Sequence, residues 1–148
     1  MAAGSIVVYM PWLEDMWLGA LPASWHASDT YIAALCSAAY TPNAPSHSSF
    51  TVDISANAVT ETGYTAQALV TLAISRPDPS HIRFDMADVT FSATSLMDAK
   101  YVVVYRGATS RPAFYFDLES TDASGIEATQ IVVQWPANGV IQIQQAGI

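Results

Sequence analysis

The sequence predicts a mainly β chain: an antiparallel β-sandwich of jelly-roll or immunoglobulin-like kind, preceded by a short N-terminal arm or helix. Three observations predict it. Seven to nine short apolar runs follow one another closely, with Pro, Gly, Asn and Asp turn signals between them. Several runs alternate with period two, the side-chain repeat of a half-buried strand. No helical pattern separates them, which argues against a βαβ design. The 148 residues suit one domain with a real core, divided here into an arm over 1–24 and a sandwich over 25–148.

The elements follow in order. Ile6 to Tyr9 is a short β-like run. Pro11 opens a short helix, with Glu14 and Asp15 placed near its N-terminus. Trp12, Leu13, Met16 and Trp17 share one side of that helix, and Gly19 and Pro22 stop it. Thr30 to Cys36 is a strand buried on both faces, and 40–49 is a loop rich in turn residues. Residues 53–58 are short and irregular. Thr60 to Gly63 is a turn whose glycine takes a positive φ. Ala68 to Ser75 reads as one strong strand, ended by the turn Arg76-Pro-Asp-Pro-Ser80. Ile82–Asp85 and Val89–Ser92 are short strands. Ala99–Arg106 has no polar face, which fits a central strand. After a turn over 107–112, Ala113–Leu118 turns Phe114 and Phe116 inward. A polar loop over 119–127 leads to Thr129–Trp135, with Ile131, Val133 and Trp135 inward. The turn Pro136-Ala-Asn-Gly139 makes a hairpin with Val140–Gln144.

Charge is sparse and acidic: five Lys and Arg against thirteen Asp and Glu, a net −8. That balance argues against direct contact with nucleic acid. Low charge with many aromatics matches surface covered by other subunits. Cys36, the single cysteine, lies in an apolar run and is expected to be a small buried thiol. The opening Met1-Ala-Ala-Gly-Ser5 lacks the basic run of a secretory signal. No stretch approaches the roughly 20 apolar residues of a membrane helix. The expectation is a protein made in the cytoplasm, without a membrane partner.

Chemistry-bearing patterns are few. His26, His47 and His81 lie far apart, and none pairs with Cys, Asp or Glu at ligand spacing. No metal and no cofactor is therefore expected. Asp85 and Asp88 are the best paired carboxylates, able in principle to do acid/base work or bind calcium. Turn residues bonding their own backbone account for them more simply. Asp117, Glu119 and Asp122 read as a solvated strand end and loop. No phosphate loop, dinucleotide fingerprint or nucleophile elbow occurs, so no catalytic residue is assigned and a non-enzymatic role is expected. What remains is aromatic. Trp12, Trp17, Trp25, Tyr40, Tyr64 and Tyr115 suit core packing, a protein interface or a carbohydrate platform. The candidate interface residues are Tyr9, Trp12, Met16, Trp17, Trp25, Tyr40 and Tyr64.

Five stretches carry a resemblance. They are Trp25–Leu35, Ala39-Tyr-Thr-Pro-Asn43 with His47, Asp53–Ala66, Ala87–Phe91 and Tyr101–Tyr105. A closing Val133-Gln-Trp135 and Gly139–Ile143 extend them. Asp53-Ile-Ser-Ala-Asn-Ala-Val-Thr-Glu-Thr-Gly-Tyr-Thr-Ala66 is the most specific, similar to a run DISANEVSGTGYTAGG. Together they resemble a widespread family of small virion proteins of tailed bacteriophages, from about Trp25 to Ile143. The chain departs at Ala33, where the family usually has Lys, and at Gln67-Ala68, where it usually has Gly-Gly. The resemblance implies a structural protein with no catalytic residues. The leading expectation is a capsid decoration, or cement, protein on the exterior of the virion. It would bridge subunits of the major capsid protein as a homodimer or homotrimer, with the segment Ile6–Leu21 reaching a neighbour. A tail, neck or fibre-attachment part is the alternative, and a carbohydrate-binding adhesion module a third.

Overall fold

A computed structural model describes residues 5–21, 30–69, 73–78, 81–118, 123–135 and 140–144. Among them are helix α1 (Met10–Trp17) and ten strands: β1 (Val7–Val8), β2 (Tyr31–Cys36), β3 (Gln67–Leu69), β4 (Ala73–Asp78), β5 (His81–Asp85), β6 (Val89–Ala99), β7 (Tyr101–Arg106), β8 (Arg111–Asp117), β9 (Ile126–Val133) and β10 (Ile141–Gln144). The fold is mainly β with antiparallel pairing, as the sequence predicts. One sheet has the order β1-β8-β7-β2-β3, a second β10-β5-β4, and β6 with β9 forms a ribbon.

The apolar period explains the layering. On β7, Val102 and Val104 point to one side, and with Tyr31, Ala33 and Leu35 of β2 they enter the main core. That core is closed by Phe91 and Met97 of β6, Ile131 and Val133 of β9, and Phe84 of β5. Val103 points to the other side and, with Ala34 and Cys36, forms a second, smaller core. The central strands are thus buried on both faces, which is why neither face of β7 is polar. The covering layer of the second core is the connection between β2 and β3. Its residues Phe50–Ile54 form a π-helical turn and Ser55–Asn57 a 3-10 turn, where the sequence suggests irregular chain. Asp53 fastens the start of this turn: its Oδ2 accepts the Ser48 and Ser49 N–H groups at 2.8 and 2.9 Å. Phe50 stacks on Tyr105 with ring centroids 4.0 Å apart.

The run read as one strand over Ala68–Ser75 is described at its two ends, residues 70–72 lying outside the described residues. Its ends belong to different sheets, β3 pairing with β2 and β4 with β5. The expected proline turn is strand as far as Asp78, which pairs with His81 across a bulge after Ser75. A proline is tolerated at such an irregularity because no ladder bond is asked of it. β6 runs on to Ala99, its ladder with β9 broken between Ser92 and Met97. The Asn-Gly hairpin turn over 136–139 lies outside the described residues.

The described part of the N-terminal segment, residues 5–21, packs on the body and is not a free arm. Val7 and Val8 pair with Tyr115 and Phe114. Pro112 cannot donate to the β7 ladder, and the register shifts beside it. The Ala113 carbonyl next to it accepts the Tyr9 N–H at 2.9 Å, carrying the chain from β1 into α1.

Candidate interaction face

Helix α1 begins at Met10, one residue earlier than Pro11 suggests, so no acidic residue lies in its first turn. Glu14 and Asp15 therefore do not serve the N-terminus. Asp15 instead holds the guanidinium of Arg111, which donates from Nε to Oδ2 at 2.7 Å and from Nη2 to Oδ1 at 3.3 Å. The same guanidinium donates from Nη1 to the Ser48 carbonyl at 3.1 Å, and the Met10 N–H donates to the Ala44 carbonyl at 2.9 Å. One arginine on β8 thus ties the helix to the loop that covers the second core.

The helix ends in a Schellman arrangement. The Ala20 N–H bonds to the Asp15 carbonyl at 2.8 Å and the Gly19 N–H to that of Met16 at 3.4 Å, with Gly19 at φ +69°. This terminator fixes the direction of the residues just before it. Trp12 and Met16, one turn apart, face the main core; Trp12 is 2% exposed and its Nε1–H donates to the Tyr31 hydroxyl at 3.2 Å. Trp17 is 80% exposed, Leu18 75% and Met10 52%. Met10 and Trp17 are seven residues apart, close to two turns, and share the outward stripe with Glu14 between them. Four residues that the sequence places on one side are therefore split. Trp12 and Met16 serve the fold, while Trp17 leads an apolar strip turned to solvent.

The remaining candidates divide in the same way. Tyr9 and Tyr40 are buried, so they are corrected from interface to core. Their hydroxyls are 2.5 Å apart, and that of Tyr40 lies 2.9 Å from Nδ1 of His47. Burial pushes the Tyr9 phenol far above its ordinary value, and that of Tyr40 up to about 12. Both stay neutral and serve as a polar clamp inside the second core. Burial likewise pushes the Cys36 thiol up to about 12, so it is no ready nucleophile. Tyr64 follows Gly63, which has φ +84° as expected, and turns inward. Its hydroxyl accepts the Leu35 N–H at 2.7 Å and its ring stacks on Phe91. The stretch Asp53–Ala66 thus helps build the fold through Asp53, Ile54 and Tyr64. Trp25 lies outside the described residues.

Asp85 bonds the backbone of its own turn as expected, whereas Asp88 bonds a backbone N–H 47 residues away, beyond the end of β9. Asp85 Oδ1 accepts the Met86 N–H, and Asp88 Oδ1 the Trp135 N–H, both at 2.9 Å. No group of three potential metal ligands converges among the described residues. No helix among them is long and apolar enough to cross a membrane.

The chain matches no family model, no curated protein and no solved structure. The face of α1 is what the molecule itself offers. Sequence reasoning found Trp17 but missed Met10 and Leu18. The signal was available: with the helix begun one residue earlier, positions 10, 14, 17 and 18 fall on one stripe.

Proposed function

We propose that this chain is a capsid decoration protein of a tailed bacteriophage, and that α1 is its docking helix on the major capsid protein. The observation that carries the docking is Trp17, a large apolar side chain held out in solvent on a helix whose other face is locked into the core. Phage placement is supported by the sequence resemblance over Trp25–Ile143.

The energetics favour a repeated contact. Burying a tryptophan removes about 150–250 Å² from water. At about 25 cal/mol per Å² that is roughly 4–6 kcal/mol gross. Association alone costs about 4–15 kcal/mol. One such contact is marginal, so retention on a shell calls for linked copies. A dimer or trimer engaging several capsid subunits supplies that multivalency. The net charge of −8 keeps the module off the packaged nucleic acid.

The test is stoichiometry in purified virions. A decoration protein is present in a simple ratio to the major capsid protein. A count matching tail or neck rings would move the chain to those parts, and its absence from particles would end the virion reading.

A further inference from the structure

We infer that α1 docks into an apolar slot carrying a lysine or arginine, with Glu14 as the residue that selects it. The inference rests on the reading of α1 as the docking helix and names the chemistry of what it meets.

Glu14 sits four residues after Met10, three before Trp17 and four before Leu18, so on a helix it lies inside the apolar strip and not at its edge. Burying Met10, Trp17 and Leu18 in a partner takes the Glu14 carboxylate out of water with them. An uncompensated carboxylate opposes that transfer strongly. A cation on the partner turns the penalty into a charge-assisted hydrogen bond. The described residues of this chain do not supply that cation. Arg111, the basic residue that reaches α1, is committed to Asp15, and Lys100 is paired with Asp117 at 2.9 Å. Glu14 makes no ion pair among the described residues. The field of the whole chain, at −8, has the same preference.

The charge also argues against a second copy as the occupant. A two-fold contact places a strip against itself. Two Glu14 carboxylates would then enter one closing apolar contact between two chains of net −8, with no cation from either strip. Any homo-oligomer is expected to use another surface.

The experiment uses the full chain and decoration-free particles of the phage that encodes it. Binding is measured at low and high salt for wild type, Glu14→Gln, Glu14→Lys and Trp17→Ala, with thermal unfolding confirming that each variant is folded. Glu14→Gln should weaken binding about tenfold and flatten its salt dependence, and Glu14→Lys about a hundredfold. If Glu14→Lys binds like wild type while Trp17→Ala does not, the basic slot is refuted and the docking helix stands. If Glu14→Lys and Trp17→Ala both bind like wild type, the docking helix itself is refuted. Wild-type self-association that disappears in Trp17→Ala would make the occupant a second copy and overturn the inference.

Discussion

Replacing each tryptophan of α1 in turn separates fold from contact. Trp12 is 2% exposed, lies in the main core and donates its indole N–H to Tyr31. Cutting it to alanine removes the apolar contacts of a whole indole and leaves a cavity between α1 and the sheet. Such truncations cost about 3–5 kcal/mol. At about 2–4 °C per kcal/mol for a domain near this size, Tm should fall by about 6–20 °C. Trp17 is 80% exposed. Its loss should change stability by no more than about 0.5 kcal/mol, or roughly 2 °C. Particle binding should show the reverse order: Trp17→Ala loses affinity, while folded Trp12→Ala, assayed well below its Tm, retains most of it. Scanning calorimetry and co-sedimentation with decoration-free particles measure the two. Equal melting temperatures for the two variants would refute the division of the helix into a core face and a docking face.

Four further outcomes follow from the geometry. A Cβ on Gly125, at φ +87°, would lie 2.6 Å from the Ala99 carbonyl oxygen, so Gly125→Ala should cost about 2–4 kcal/mol by urea unfolding. Gly63→Val should also destabilise, its Cβ meeting the Thr94 backbone nitrogen at 3.2 Å with φ +84°; an unchanged midpoint would contradict either reading. Arg111→Gln should lower stability by about 1–3 kcal/mol and speed amide exchange in both α1 and 44–54, because one guanidinium holds both; faster exchange in only one of them would break that link. For the second core, burial raises the Tyr40 phenol from 10.0 to about 12 and raises Tyr9 further. The folded state therefore holds these protons more tightly than the unfolded chain. Their stabilising effect is whole below pH 10.0 and is lost as pH rises toward about 12. Circular dichroism should show alkaline unfolding in that window, moved to higher pH in the Tyr9→Phe/Tyr40→Phe double variant. Full tyrosine ionisation with the fold intact would refute it.

Period-two alternation makes several strands legible in the sequence. Val102, Val103 and Val104 mark a strand with two buried faces, and Phe114, Phe116, Ile131 and Val133 fall inward as their spacing requires. Gly63 takes the positive φ that its turn asks for. Other features depend on distant partners. The run through Ala68–Ser75 reads as one strand from its period-two pattern, which does not record which sheet each end joins, and Ile74 on it is exposed. β6 continues past Ser92 through exposed Ser95 and Leu96 because β9 resumes pairing at Met97. The meeting of Tyr9, Tyr40 and His47 joins residues up to 38 positions apart across two elements, and no local spacing encodes it.

The candidate site shows the same division within eight residues. Helical spacing says which side chains lie together, but whether Met10 joins them depends on where the helix begins, and hydrogen bonding around Tyr9 and Met10 sets that start. Which stripe then faces the body is a tertiary matter, settled by the β1–β8 pairing, the Arg111–Asp15 bridge and the Gly19 terminator. By itself the sequence determined a mainly β, acidic chain with two of its four tryptophans to place on one short helix. The tertiary structure decided that Trp12 is core and Trp17 is surface, because burial depends on what stands opposite a side chain, and that neighbour comes from elsewhere in the chain.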